Sequence, residues 1–477
     1  MCGILGVYGR DPVAVELVHG LAAIQHRGQD AAGLLTFDKT FHVQKGLGLV
    51  SNVLGDFAAD RFPGYSGLGH VRYSTIGSNT VPDAQPVVVN YPFGLAMVHN
   101  GNVTNFVELR RHLYEEHHRL LDTSNDAALI LYTLASELER KDLKRLSVAD
   151  IFDAVEATQK TVLGSYSAIG IIANVGFLAF CDPNGIRPIV MGRKYASHGI
   201  SHVFASESVC FDFLGCERVR DLEPGEMVFI DRDMNVHTRS GRRQKQAFCV
   251  FEYIYFARED SVIHNRLVAT ERVRLGRPLA ETFRSLGLEP DIVIDVPSSA
   301  YFFASGLAEE LGVPYRRGLA RNNHIGRSFI SPGQSLRELL VRQKLNPIRD
   351  IVKGKKIAVA DDSIVRGTTS RHIVRLLRQA GAAEVYFVSA APPIRFPCIY
   401  GIDMSARREL IAAHYDEEQI RHYLDADAVV YQSLDSLKDL YKDLPCCYAC
   451  FSGEYPTAVS REIMEQIEQE KLCSGRG

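Results

Sequence analysis

The stretch Ile357-Ala-Val-Ala-Asp-Asp-Ser-Ile-Val-Arg-Gly-Thr-Thr369 decides how the second half of this 477-residue chain is read. Its apolar opening predicts a strand over Lys356–Ala360, which delivers the acidic pair Asp361 and Asp362 to the carboxyl edge, where open α/β sheets bind ligands. Ser363 to Thr369 then lead into a helix predicted over Ser370–Ala380, whose first unpaired N–H groups and positive dipole end suit a phosphate. Gly367 lets the backbone approach closely, Arg366 adds a cation, and Thr368 and Thr369 add hydroxyl donors. The two carboxylates can hold sugar hydroxyls or a magnesium ion. For a lone Asp-Asp, a capped helix with a solvated acidic turn is the better reading. Thirteen residues in this order weigh against it. The Walker ending Gly-Lys-Ser/Thr is absent here, which disfavours a nucleoside triphosphatase.

Working outward, helices around Leu279–Leu286 and over Ala300–Leu311 alternate with a strand over Asp291–Val296, and after Gly381 comes another strand, Val385–Ala390. Such alternation predicts a parallel sheet. Up to about residue 235 the pattern differs. Short apolar runs between Gly and Asn turns, at Leu95–His99, Ala168–Ala173, Val175–Phe180 and Glu226–Ile230, read as strands, interrupted by helical stretches over Pro12–His26 and Ser124–Leu138. The expected division is a layered α+β domain of antiparallel sheets and helices over 1–239, the polar, basic linker around Ser240–Lys245, an α/β domain over 246–460, and a C-terminal helix and tail over 461–477.

Composition bounds the function. The chain is 46% hydrophobic and 23% charged, with 54 Lys and Arg against 57 Asp and Glu for a net charge of −3, so no global field draws it to nucleic acid or anionic lipid. Its most apolar stretch, Ala168–Phe180, is interrupted by Asn174 and falls short of the roughly 20 residues needed to span a bilayer. Neither a secretory signal nor a membrane span is expected. A reducing cytoplasm is the default, so the ten cysteines read as buried thiols, nucleophiles or metal ligands rather than disulfides.

Cys2 is the first of them to carry a specific reading. Removing Met1 would leave a thiol and a free α-amine on one residue, with unperturbed pKa values of roughly 8.5 and 7.7–8.0, so the amine can serve the thiol as base. Alone, such a cysteine is more often a small buried hydrophobe. Four further segments change that balance: Gln25-His-Arg-Gly-Gln-Asp30, Gly69-His-Val-Arg-Tyr-Ser-Thr75, His99-Asn-Gly-Asn102 and Ser124-Asn-Asp126. Together with Cys2 they resemble the N-terminal nucleophile (Ntn) glutamine amidotransferases. The resemblance implies that Cys2 attacks the glutamine carboxamide, Arg72 binds its carboxylate and Asp126 its ammonium, with Arg27 supporting the site as a further glutamine-binding residue. It further implies that the Asn100 side chain and the Gly101 N–H stabilise the oxyanion, at roughly 3–4 kcal/mol per donor. Read without it, Arg72 is a structural ion pair and Asn100-Gly101 a hairpin turn.

The loop around Asp361-Asp362 resembles the phosphoribosylpyrophosphate (PRPP) motif of the type I phosphoribosyltransferases. By that resemblance the acidic pair contacts the ribose hydroxyls while Ser363, Arg366, Gly367, Thr368 and Thr369 hold the 5′-phosphate. Asp291-Ile-Val-Ile-Asp-Val-Pro-Ser-Ser299 matches the family's pyrophosphate turn except at Ser298 and Ala300, and Ser299 falls where the family places a serine near magnesium. Arg321-Asn-Asn-His-Ile-Gly-Arg-Ser-Phe and Arg342-Gln-Lys-Leu-Asn346 form a long cationic segment with the character of a lid, in which Lys344 is the implied pyrophosphate contact. The two halves in this order, with Asp182-Pro-Asn-Gly-Ile-Arg-Pro188, Asp221-Leu-Glu-Pro-Gly-Glu226 and Phe251-Glu-Tyr-Ile-Tyr-Phe-Ala-Arg258, resemble the glutamine PRPP amidotransferases over nearly the whole chain.

That resemblance implies ammonia passing from Cys2 to C1 of PRPP along a water-excluding route, Mg2+ held by Ser299, Asp361 and Asp362, feedback by purine nucleotides, and a homotetramer. Cys249, Cys398, Cys447 and Cys450 fall in contexts like those of the family's iron-sulfur branch, implying a [4Fe-4S] cluster. From the residues alone, zinc or plain thiols stay open, and Cys446 competes with Cys447. A PRPP-sensing regulatory protein with a decayed transferase site is the alternative function.

Overall fold

A computed structural model describes residues 1–73, 80–121, 123–322, 345–404, 406–459 and 464. Two antiparallel sheets face each other in the first half. Seven strands run in the order Glu217–Asp221, Val190–Ala196, Gly199–Ala205, Gly3–Tyr8, Ser66–Arg72, Ala31–Phe37, Phe41–Leu47. Six more run in the order Val236–Ser240, Glu226–Asp231, Gly176–Cys181, Gly164–Ile172, Leu95–Val103, Val87–Val89. Ile4, Leu35, Leu68, Val98, Ile169 and Phe177 interdigitate between them. Helices Ala14–Ala23 and Val209–Leu214 cover the outer face of the first sheet through Leu17, Leu21 and Phe211. Helices Asp126–Glu139 and Val148–Thr161 cover that of the second. The result is four layers, helix, sheet, sheet, helix, in which each sheet buries both faces.

The second half is built on a parallel sheet in the order Ile292–Asp295, Lys356–Asp361, Glu384–Ser389, Ala428–Tyr431. Helix Thr368–Gln379 crosses back between the second and third of these strands, with Ile373, Val374 and Leu377 buried. The fold class expected for both halves is therefore observed. Ser240–Lys245 does not hang free: Asn184 donates to the Lys245 carbonyl at 2.8 Å, and the Gln244 N–H donates to the Pro183 carbonyl at 2.9 Å.

One local expectation fails, and one alternative reading is not observed. The sequence predicts a helix around Leu279–Leu286, with the pattern changing at about Pro278, yet the helix runs over Val268–Ser285 and Pro278 lies inside it. The buried row Leu275, Leu279, Ala280 and Phe283 continues straight through it, and that burial offsets the roughly 3 kcal/mol penalty of an interior proline. Asn100-Gly101 is no hairpin turn. Both lie within strand Leu95–Val103, opposite Ser167 and Tyr166. The expected C-terminal helix, Cys473 included, lies outside the described residues apart from Met464.

Candidate active sites

A cleft at one end of the two sheets is lined by Cys2, Arg72, Tyr73, Gln85, His99, Gly101, Asn102, Ser124, Asn125 and Asp126. Topology explains the convergence. Cys2 precedes strand Gly3–Tyr8, which pairs Gly3 with Val71, so Arg72 ends the neighbouring strand at the same edge. Gly101 comes from the facing sheet, and Asp126 opens helix Asp126–Glu139.

The Cys2 N–H donates to Asn100 Oδ1 at 3.3 Å, while Asn100 Nδ2 is buried with no hydrogen-bond partner among the described residues. A buried amide donor left unpaired is costly, and a developing oxyanion would satisfy it. Gly101 has φ of 151°, and a Cβ there would stand 2.0 Å from the Ser165 carbonyl oxygen, so only glycine fits. Asp126 accepts from the Val103 N–H at 3.1 Å and lies 3.6 Å from His99 Nδ1. Burial keeps the His99 imidazole below its ordinary pKa. Behind the cleft, Asp83 accepts from Thr123 Oγ1 at 2.7 Å and from the Ser124 N–H at 2.8 Å, and Asn125 caps the helix by accepting from the Ala127 N–H at 2.9 Å.

Arg27 is a correction. It does not line the cleft but is wholly buried behind Cys2. Its Nε donates to the Cys2 carbonyl at 2.9 Å, and its terminal nitrogens are taken by Glu207 and Glu252. It therefore supports the nucleophile's backbone and cannot reach a ligand. Met1 is buried, and burial lowers its amine pKa to about 5.

At the second site, Ser299 Oγ donates to Asp362 Oδ2 at 2.7 Å and Ser363 Oγ to Asp362 Oδ1 at 2.7 Å. Burial, reinforced by Asp362, pushes the Asp361 carboxyl well up; burial also raises Asp362. Two adjacent carboxylates short of positive charge suit a cation and sugar hydroxyls. Gly367, at φ 75°, caps helix Thr368–Gln379 without any side-chain cap bond, leaving the helix's first amides to a ligand. Thr368 and Thr369 are exposed at that terminus. Arg366 is turned away, with Nε and Nη2 both donating to Glu409 Oε2. Ala300 sits at φ −93°, so the turn after Val296 needs no glycine there. Lys344, with the rest of 323–344, lies outside the described residues.

The four cysteines expected to act together lie within electrostatic reach of one another. Cys249 and Cys447 are opposite one another in the parallel pairing of Phe248–Cys249 with Cys446–Cys447. Burial raises the Cys450 thiol, and Cys398, Cys447 and Cys249 raise it further. Burial likewise raises Cys447, which lies within the influence of Cys249 and Cys398. Burial raises Cys446 as well, which hydrogen-bonds Tyr448 and also feels Cys249. The set has the chemistry of a soft-metal or cluster site. Among the described residues, no three His, Cys, Asp or Glu side chains converge tightly enough to hold a metal ion as they stand. Nor is any helix among them long and apolar enough to cross a membrane.

Arg187, Glu207, Glu252, Gln85 and Asp83 carry no role in the sequence reading. Arg187 and Glu252 lie within quoted segments. For Glu207, 180 residues from its partner Arg27, no local signal exists.

Two family models match the chain, a glutamine amidotransferase domain over residues 70–212 and a phosphoribosyl transferase domain over 272–395. The amidophosphoribosyltransferase of Pasteurella multocida is 40% identical, covering 99% of this chain and 96% of its own. That of Schizosaccharomyces pombe is also 40% identical, covering 100% and 94%. Among solved structures, glutamine PRPP amidotransferase from B. subtilis, complexed with ADP and GMP, aligns with a TM-score of 0.85 at 35% identity, over 97% of this chain and 98% of that one.

Proposed function

Because the chain belongs to the amidophosphoribosyltransferase family, the glutamine-dependent phosphoribosyltransferases of purine biosynthesis, we propose that its two clefts divide the reaction between Cys2 and the Asp361-Asp362 loop. The observation that carries this division is the gathering of Cys2, Arg72, Gly101 and Asp126 from four separate segments into one cleft.

With Met1 removed, the nitrogen that now donates to Asn100 Oδ1 becomes the α-amine of Cys2 and the base for its thiol. The thiolate adds to the glutamine carboxamide, whose oxygen takes up the negative charge against Asn100 Nδ2 and the Gly101 N–H. Collapse forms the Cys2 thioester and expels ammonia, which carries away the proton taken from the thiol. Water then releases glutamate and regenerates the thiol. Arg72 and Asp126 hold the substrate's α-carboxylate and α-ammonium, which share one carbon, at the end of the cleft away from the carboxamide.

Ammonia attacks C1 of PRPP and displaces pyrophosphate, giving 5-phosphoribosylamine. Asp361 and Asp362 take the ribose hydroxyls, and the amides after Gly367, with Thr368 and Thr369, take the 5′-phosphate. Ser299, Asp361 and Asp362 would hold Mg2+, which when bound neutralises the departing pyrophosphate. Cys249, Cys398, Cys447 and Cys450 would hold an iron-sulfur cluster as a structural tie, since they join three distant segments. Purine nucleotides are the expected feedback ligands, supported by the ADP and GMP of the B. subtilis complex. A cytoplasmic setting and a homotetramer follow the family resemblance.

Cys2→Ala tests the division. Glutamine-driven pyrophosphate release should vanish while ammonia-driven release persists. Loss of both, or retention of the glutamine-driven reaction, overturns it, as would mature protein that keeps Met1 by mass spectrometry and still hydrolyses glutamine at full rate.

A further inference from the structure

Three fully buried charged side chains meet at the seam between the halves: Arg27 and Arg187 from the first and Glu252 from the second. Glu207, also buried, completes a neutral set of two cations and two anions. Buried ion groups of this kind add little net stability over well-packed apolar residues, so their geometry is the informative feature.

The Glu252 carboxylate receives Arg27 through both terminal nitrogens, at 3.0 and 2.9 Å. A guanidinium is a rigid planar fork, so holding those two nitrogens also fixes the third. That third nitrogen, Nε, donates to the Cys2 carbonyl at 2.9 Å. The same carboxylate lies 3.5 Å from Arg187 Nη1, and Arg187 Nε donates to the Tyr400 carbonyl at 2.8 Å. Just past Glu252, the Tyr253 and Ala257 carbonyls accept from Arg272 at 2.9 and 2.7 Å. Arg272 in turn lies within the electrostatic reach of Asp362. A short chain of hydrogen bonds thus runs from Arg272, through the segment that begins at Glu252, to the backbone of the nucleophile.

We infer that Glu252 is a positioning residue for the glutaminase reaction, contributed by the transferase half: it orients Arg27, which aims Cys2. The inference rests on the reading of Cys2 as the nucleophile. It follows that the cleft is incomplete without a residue that does not line it. Such an arrangement ties ammonia release to a docked acceptor half.

The alternative is that Glu252 merely neutralises two buried cations. Glu252→Asp separates the two, because it keeps the charge and shortens the reach by one methylene. If Glu252 positions Cys2, the variant loses roughly 10- to 100-fold in glutaminase kcat, as expected when a reacting group is displaced by about 1 Å. Glutamine KM and ammonia-driven turnover stay within about twofold, and alkylation of Cys2 by iodoacetamide slows in parallel with kcat. A folded Glu252→Asp protein with glutaminase kcat within about twofold of the parent overturns the inference. So does an equal loss in the ammonia-driven reaction. Should that variant fail to fold, Arg27→Lys examines the same link from its other end, since lysine keeps the charge but lacks the fork. Unchanged glutaminase kcat in Arg27→Lys is equally fatal. Cys2→Ala, assayed alongside, tells failure of the nucleophile assignment from failure of this inference: only the former leaves glutamine hydrolysis intact without the thiol.

Discussion

The side-chain amide of Asn102 donates to the backbone carbonyl of Ile399 at 2.8 Å, joining positions 297 residues apart in sequence. Asn102 follows Gly101 at the candidate glutamine cleft, and Ile399 follows Cys398. Ser165 Oγ holds the next carbonyl, Tyr400, at 2.9 Å. The segment after a candidate cluster cysteine is therefore pinned against the strand that carries the proposed oxyanion donors, Asn100 and Gly101. Asn102→Ala leaves the Ile399 carbonyl buried and unpaired, at a cost of about 1–3 kcal/mol. Chemical denaturation should register that loss, and glutamine-driven turnover should fall further than ammonia-driven turnover.

Gly101→Ala places a methyl group 2.0 Å from the Ser165 carbonyl oxygen at a φ of 151°. The strand cannot accept it without moving the Asn100 side chain. Glutaminase kcat should drop by about 100-fold, the scale of losing one oxyanion donor, with ammonia-driven turnover retained. A variant with normal glutaminase activity would show that the Gly101 backbone is not part of that site.

Acid should weaken the first half before the rest. Burial depresses the imidazoles of His70 and His99 below the ordinary value of 6.5. As pH falls below 6.5, the unfolded chain takes up protons that the folded chain refuses, so stability declines toward acid. The thermal midpoint should be lower at about pH 5.5 than at about pH 7.5, and His70→Gln should reduce that difference. An unchanged difference would acquit His70.

Cys446 and Cys447 are adjacent on a strand, so their side chains point to opposite faces. Cys447 pairs opposite Cys249, whereas Cys446 pairs opposite Phe248. Cys447→Ser should therefore strip iron and acid-labile sulfide from anaerobically purified protein, and Cys446→Ser should leave both. The reverse pattern would exchange their roles, and zinc without sulfide in the parent protein would replace the cluster.

Much of this is legible from local sequence because the chemistry is local. The strand, acidic pair and uncapped helix at 357–379 form one contiguous piece, and the apolar run 168–180 breaks at Asn174 into two strands as its turn residue implies. Pro278 misleads because proline reports only a local cost, while the buried face of helix Val268–Ser285 is a tertiary gain. Asn100-Gly101 has the composition of a tight turn, yet its conformation is set by the neighbouring strand Gly164–Ile172. Arg27 does lie beside the cleft, but what it touches depends on Glu207 and Glu252, 180 and 225 residues away. Arg366 likewise carries a cation beside the phosphate loop, but Glu409, 43 residues on, holds it.

The shared seam also bears on how freely the two halves could be exchanged between proteins. A polypeptide ending at Ser240 would keep Arg27 and Arg187 but lose Glu252 and the Tyr400 carbonyl, leaving Arg27 with Glu207 as its one carboxylate and stranding the Arg187 guanidinium at a newly wetted, apolar surface. Grafting this glutaminase onto a foreign acceptor module thus demands more than a compatible linker. The recipient must also bring its own carboxylate to the same spot.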